Sequence, residues 1–343
     1  MMRPLRALLV NDASLSGHHG SALVTDQAVR LASDANIDLA AGWDWAAVED
    51  TLFDPLARSR FDLAIVNGEG SIHHDAKAAI RIAKIATTLN AAHFPAYLIN
   101  ATVEATPPHV TTALNTFRRI FVRDRESAAF LATSDIASTV VPDLTLSFDG
   151  APSAMKRGPL LVTDSSEPRK TAALLALAGK WSGAAPMTMR AEPPWPQNGS
   201  KRRRWKFEAK RILARPLPVS PWSIRYKGAL RTRAELLDLL GSHARAAICG
   251  RYHAVCFALL TRLPFVAVAG NTSKVASLLA DIGLSSRHVT LAELEEADPA
   301  QVAPDFTPED EARIDAFLQS ARRNATEMFH LIARDAVQQK AVR

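Results

Sequence analysis

Short apolar runs that stop at turn residues alternate with stretches of helical period along almost the whole chain, and this alternation narrows the fold more than any other feature. Residues 5–10, 37–41, 62–66, 96–100, 119–122 and 139–141 read as strands. Between them, residues 21–33, 77–92 and 125–132 repeat apolar side chains at three-to-four spacing, the period of a helix. Strands that are apolar along their length, without polar alternation, are buried on both faces. They pair parallel, because the helix between two of them returns the chain to the same end of the sheet.

The pattern breaks at residues 150–153, Gly-Ala-Pro-Ser, and then restarts. Strands are expected at 159–163, 186–189, 246–249 and 264–269, helices at 233–240, 252–261 and 273–282, and a long amphipathic helix from Pro308 to about Ala336. A chain of 343 residues is long for one core and suits two. The expected fold class is α/β, with two Rossmann-like doubly wound domains facing a central cleft. Their expected limits are residues 1–150 and 151–315, with residues 316–343 as a terminal helix packing back on them. Within the second, residues 192–225 hold six prolines together with Trp195, Trp205 and Trp222, and read as an irregular surface insert or lid.

Hydrophobic residues make up 48% and charged residues 22%, which excludes a disordered chain. Cys249 and Cys256 form neither a metal-type repeat nor a disulfide framework, as suits a reducing compartment. No apolar run approaches the roughly 20 residues that span a bilayer, and the first is too short for a signal peptide. A soluble, cytoplasmic protein is expected.

The net charge of +6 is local: residues 201–233 hold twelve Lys or Arg against Glu208 alone, and the rest of the chain holds 29 basic and 34 acidic groups. With Trp205, Phe207 and Trp222 interleaved, this segment suits an anionic membrane face or a lipid-diphosphate acceptor, and would bring the protein to the inner face of the cell membrane. A solvated loop is the plainer alternative. No nucleic-acid-binding motif accompanies the charge, so nucleic acid is not an expected partner. Nothing in the sequence indicates an oligomeric state.

Ligands of α/β folds bind where strands end and helices begin, so the polar residues at those turns are the candidates for chemistry. The turn Gly250-Arg251-Tyr252-His253 interrupts an otherwise apolar run, and there helix-start amides and a guanidinium favour an anion. The stretch Asn67-Gly68-Glu69-Gly70-Ser71-Ile72-His73-His74-Asp75 follows the third strand; its glycines allow close backbone approach, and Glu69 and His73 are potential acids or bases. A tight turn with a solvated rim is the alternative there. No second motif at ligand spacing joins His73 and His74, and no metal is expected. The first loop, with His18, His19 and Gly20, sits where phosphate loops occur but has neither a dinucleotide fingerprint nor a P-loop lysine. At Arg123-Asp124, the aspartate is expected to cap the next helix, and the arginine either faces a ligand or pairs within the fold. Asp143, after Pro142, is a hinge, cleft or turn residue.

Three blocks carry a family resemblance: FVRDRESAAFL at 121–131, VVPDLTLSF at 140–148 and, above all, ICGRYHAVCFALLTRLPFVAVAGNTSKVASLLADIGL at 248–284. They resemble the polysaccharide pyruvyl transferase family, whose members look like two-domain glycosyltransferase-B-type proteins. The resemblance implies transfer of the enolpyruvyl unit of phosphoenolpyruvate onto two hydroxyls of a sugar or glycan acceptor, without cofactor. Carried over by position, Arg251, His253 and Gly250 belong to the donor-binding turn, Arg123 is a second anion contact, and Lys274 matches the family's lysine. The chemistry asks for such groups: arginine forks for carboxylate and phosphate, and a group of near-neutral pKa for the proton. His253 is the expected acid/base, with Glu69 as base for the acceptor. Departures from the family pattern are Tyr252 in place of a leucine, Gly-Glu-Gly-Ser-Ile-His in place of a glycine run, and a first loop without Asn-x-Gly-Asp. A glycosyltransferase using a nucleotide sugar and a non-catalytic member of a glycan assembly complex are the alternatives.

Overall fold

The computed structural model describes residues 3–41, 43, 45–153, 155, 157–191, 201–227, 229–230, 232–268 and 273–342. The chain divides into two compact units. The first comprises residues 1–13, 24–147 and 319–343, and the second residues 14–23 and 148–318. Sequence alone places the first loop and the start of the first helix in an N-terminal domain of 1–150; residues 14–23 instead group with the second unit.

The first unit holds six strands: β1 (Leu5–Val10), β2 (Ile37–Ala40), β3 (Leu63–His73), β4 (Ala96–Glu104), β5 (Arg119–Val122) and β6 (Thr139–Val140). They form one sheet in the order β2-β1-β3-β4-β5-β6, parallel throughout. Helices α1 (His19–Asp34), α2 (Trp45–Phe53), α3 (Pro55–Arg58), α4 (Lys77–Ala91), α5 (Pro108–Leu114) and α6 (Arg125–Ala132) connect them. Successive side chains of a strand point to opposite faces. Leu8, Val10, Ala64 and Val66 accordingly pack with α2, α4 and α5 on one face, and Ala7, Leu9, Leu63 and Ile65 with α1 and the C-terminal helix on the other. Burial on both sides is why residues 7–10 and 63–66 are apolar at every position.

The second unit repeats the plan with five parallel strands: β7 (Leu160–Thr163), β8 (Ala184–Met187), β9 (Ala246–Cys249), β10 (Phe265–Val268) and β11 (His288–Val289), in the order β11-β10-β9-β7-β8. Its helices are α7 (Pro168–Lys180), α8 (Lys201–Ala214), α9 (Ile224–Lys227), α10 (Arg233–Ser242), α11 (Tyr252–Thr261), α12 (Lys274–Ile282) and α13 (Leu291–Glu296). The last helix, α14 (Pro308–Val342), begins in this unit and ends in the first. Two doubly wound α/β sheets agree with the expected fold class.

Each sheet reverses its strand order once, between β1 and β3 in the first and between β7 and β9 in the second. Such switch points, at the carboxyl ends of the strands, are where doubly wound folds open a crevice for ligands.

Two local expectations change. The third strand does not stop at Val66 but continues to His73, keeping its pairing to β4 through an irregularity between Glu69 and Ile72. A residue in the left-handed region, Glu69 at φ 39°, accommodates this break. Within the supposed irregular insert, residues 201–214 form the helix α8; its dense charge hides the helical period in the sequence. Residues 192–200, with Pro193, Pro194, Trp195 and Pro196, lie outside the described residues, as does Ala269 at the end of an expected strand.

Candidate active site

At the second switch point, β7 ends at Thr163 and Asp164 follows, while β9 ends at Cys249 and Gly250 and Arg251 follow. The Gly250 amide donates to Thr163 Oγ1 at 2.7 Å. A Cβ on Gly250 would stand 2.8 Å from both the Asp164 carbonyl oxygen and Leu174 Cδ1, so the backbones meet here only with glycine. This closeness brings Arg251 to Asp164. Nε donates to Oδ1 at 2.9 Å and Nη2 to Oδ2 at 2.6 Å, a two-pronged pair with Asp164 at 1% exposure. The guanidinium is thus held in one orientation, with its Nη1 hydrogens outside the Asp164 pair.

Arg251 is also the residue before the first turn of α11, and its side chain does not cap the helix. Every residue of α11 is buried, which accounts for its nearly continuous apolar sequence. His253, in the first turn, is 7% exposed and meets the buried Tyr252 edge-on, ring centroids 5.5 Å apart.

The first loop arrives at the same place. His18 bridges antiparallel to Arg190, the His19 amide donates to the Met189 carbonyl at 3.1 Å, and the Ala191 amide donates to the Gly17 carbonyl at 3.0 Å. Residues 17–19 therefore form an added edge beside the segment that follows β8. The His18 and His253 rings lie 5.3 Å apart between centroids, inclined at 50°. At Gly20 there is no room for a side chain: a Cβ would fall 2.2 Å from His253 Cγ and 2.6 Å from its Nδ1. The starts of α1 and α11 thus abut, and the positive ends of two helix dipoles favour an anion there.

Electrostatics define the histidines further. The Gly20 amide donates to His18 Nδ1 at 3.2 Å, which leaves the hydrogen of the neutral ring on Nε2. Burial, and next to it the neighbouring His253 and Arg251, hold the His18 pKa well below the usual imidazole value. His19 is lowered too, mainly by burial and partly offset by a hydrogen bond to the Leu230 backbone. His18 is therefore kept neutral as a hydrogen-bond donor beside a fixed cation.

The remaining candidates belong to the first unit, except Lys274, which opens α12 and is half-buried. Gly68, Glu69, Gly70, Ser71 and His73 all lie on β3, and His73 Nδ1 stands 3.4 Å from His74 Nδ1. Arg123 is 3% exposed and tied within the fold: Nη1 donates to Asp143 Oδ2 at 2.7 Å, while Nε and Nη2 donate to Thr102 Oγ1 at 3.0 and 2.6 Å. Asp143 Oδ1 in turn accepts from the amide and hydroxyl of Thr145. Of the two readings open for Arg123, the structure shows the internal pair. Asp124 caps α6 as expected, Oδ1 accepting from the Ser127 amide. Among the described residues no three His, Cys, Asp or Glu side chains gather as a metal site.

Sequence reasoning missed Asp164, which has no pattern beyond its place after a strand, and an asparagine ladder at the first switch point. Asn11 Nδ2 donates to the Asn67 carbonyl at 2.7 Å, Asn100 Nδ2 to Asn67 Oδ1 at 3.3 Å, and the Leu144 amide to Asn100 Oδ1 at 3.0 Å. Asn11 and Asn100 both have left-handed backbones, φ 60° and 53°, a conformation that asparagine tolerates better than most residues. Asn11, Asn67 and Asn100 each directly follow an apolar run, residues 7–10, 63–66 and 96–99, which is the signal that would have found them.

The sequence profile of one family, polysaccharide pyruvyl transferase, matches residues 19–272. No curated protein matches. Among solved structures, a UDP-GlcNAc 2-epimerase from Methanocaldococcus jannaschii is similar at 11% identity, covering 92% of this chain and 99% of its own, with a TM-score of 0.47. The S. aureus MnaA–UDP co-structure is similar at 9% identity, covering 96% and 91%, with a TM-score of 0.43.

Proposed function

Because the chain belongs to the polysaccharide pyruvyl transferase family, and is on that ground a transferase, we propose that its donor is phosphoenolpyruvate and its acceptor a sugar of a surface polysaccharide or of its lipid-linked precursor. In the net reaction, C2 of the enolpyruvyl unit forms bonds to two acceptor hydroxyl oxygens and loses its bond to the phosphate oxygen. One hydroxyl proton ends on C3, making the methyl group of the ketal, and the other leaves with the released phosphate.

The observation that carries this reading is the convergence of His18 and His253 beside an Arg251 whose orientation is set by Asp164. In our reading, Arg251 and the positive ends of α1 and α11 attract and hold the anionic donor, and His18 Nε2–H donates to one of its oxygens. His253 takes a proton from an attacking hydroxyl and delivers it to C3. Donors held in place before the reaction are worth more than donors that must be gathered during it. A lipid-linked acceptor would bring the enzyme to the inner face of the cell membrane; no described helix is long and apolar enough to cross one.

The test is incubation of the full chain with phosphoenolpyruvate and a panel of lipid-linked and nucleotide-linked sugars, following inorganic phosphate and product mass. Acceptor-dependent phosphate release with a pyruvate ketal supports the reading. Release of a nucleoside diphosphate from a nucleotide sugar, with no ketal formed, would replace it by glycosyl transfer.

A further inference from the structure

We propose that α8 and the segment after it dock on an anionic lipid bilayer, with the outer face of the helix seated among the headgroups. Of the eleven large apolar side chains exposed among the described residues, six lie within residues 205–222: Trp205, Ile212, Leu213, Leu217, Val219 and Trp222. Scattered singly, such side chains need no explanation; gathered in one short segment, they mark an interaction surface.

The geometry of α8 separates its two faces. At about 100° per residue, Ile212 and Leu213 fall within roughly 80° of Trp205 around the helix, and Ala214 and Phe207 lie on the far side. Burial follows this division. Trp205, Ile212 and Leu213 are 72%, 61% and 63% exposed, whereas Ala214 is fully buried and Phe207 half-buried. The helix is therefore seated through one face and turns its apolar stripe to solvent.

Charge identifies the partner. Lys201, Arg202, Arg203 and Arg204 open the helix, Lys206 and Lys210 are exposed beside the stripe, and Glu208 is its one acid. A protein partner would have to supply a matching acidic rim around an apolar groove. An anionic bilayer offers both at once: phosphate charges at the surface and acyl chains just below it. Tryptophan suits that boundary, and basic side chains reach outward while their stems stay apolar. The inference shares with the proposed function only the expectation of a lipid-linked acceptor.

The experiment is sedimentation of the full chain with phosphatidylcholine vesicles, with and without phosphatidylglycerol, at low and high salt. Expected is binding to the anionic vesicles alone, released by salt, and weakened at least about tenfold in a Trp205→Ala, Ile212→Ala, Leu213→Ala variant that keeps its circular dichroism. A second variant, Lys206→Ser with Lys210→Ser, should lower binding at low salt while leaving the stripe intact. No binding, or binding that both variants leave unchanged, overturns the proposal. Concentration-dependent self-association lost in the triple variant also overturns it, by naming a second copy of the chain as the occupant. Pyruvyl transfer to a water-soluble acceptor should be the same in wild type and variants. Its absence from wild type would count against the proposed function and leave the docking surface standing.

Discussion

Asp164 holds Arg251 by both carboxylate oxygens at the switch point of the second sheet, Oδ1 on Nε and Oδ2 on Nη2. Removing the carboxylate leaves a partly buried guanidinium without its orienting partner. Asp164→Ala should lower stability by about 2 kcal/mol, below the range for fully buried pairs because the Arg251 side chain is 17% exposed. It should also cut kcat/KM for the proposed donor, phosphoenolpyruvate, by about a hundredfold. Arg251→Lys should lose nearly as much turnover, because an ammonium keeps the charge but not the two-pronged geometry. Urea midpoints and initial rates separate the two effects; full activity in Asp164→Ala would show that orientation of Arg251 is irrelevant.

Gly20→Ala tests whether the first loop is part of the site. The added methyl would meet His253 Cγ and Cβ at 2.2 and 2.4 Å, so either α1 or the imidazole must move. Overpacking of this kind costs about 1–3 kcal/mol. Because the atom displaced belongs to the proposed acid/base, turnover should fall by more than the stability change explains. A variant with wild-type rates would detach the loop from the chemistry.

The histidines make the fold sensitive to acid. His18 and His19 both have lowered pKa values, so between their folded values and about 6.5 the unfolded chain binds protons that the folded chain refuses. The stability they contribute is complete above about 6.5 and is lost as the pH falls through their folded values. His18→Gln should flatten this part of the stability curve, measured by denaturant unfolding across a pH series. A slope unchanged by the substitution would place the acid sensitivity elsewhere.

A different pair governs the alkaline side. The Tyr97 hydroxyl, on β4, donates to Asp335 Oδ2 of α14 at 2.6 Å, and Arg118 Nε donates to the same oxygen at 2.8 Å. Burial, and then the carboxylate, push the tyrosine pKa far up. A raised folded pKa means that stability is complete below the unfolded value of about 10 and declines as the pH rises beyond it. Tyr97→Phe should remove that decline at a cost of about 1 kcal/mol at neutral pH, since one buried hydrogen bond is lost. Thermal melts from about pH 8 upward would show whether the slope disappears.

Most strands are visible in the sequence because burial on two faces demands apolar residues at every position, as in 7–10, 63–66 and 246–249. The Arg251–His253 turn is visible for the same reason, as a polar interruption where only burial is expected. The partners of that turn are not. Nothing local to His18 announces a bridge to Arg190, a residue brought near by the sheet and not by the chain. Asp164 is likewise an ordinary residue until β7 and β9 are placed side by side. Extended strand through 67–73 is hidden because its glycines are also turn residues, and α8 because charge outweighs period. Arg123 shows the converse: a cation at a strand end is as readily a brace for Asp143 as a contact for a ligand.

The path of α14 has a consequence for the order in which the chain is made. Its later residues, Ala325, Met328, Phe329, Ile332 and Ala336, cover the same face of the first sheet as Leu5, Leu9 and Ile65. A growing chain therefore presents that face of the first sheet covered by α1 but not by α14 until residues 319–343 have been made. During that interval the exposed strands are open to misassembly or to a chaperone. Truncations within α14 should then reduce yield by stranding the earliest-made half of the protein, although every strand of its sheet is present.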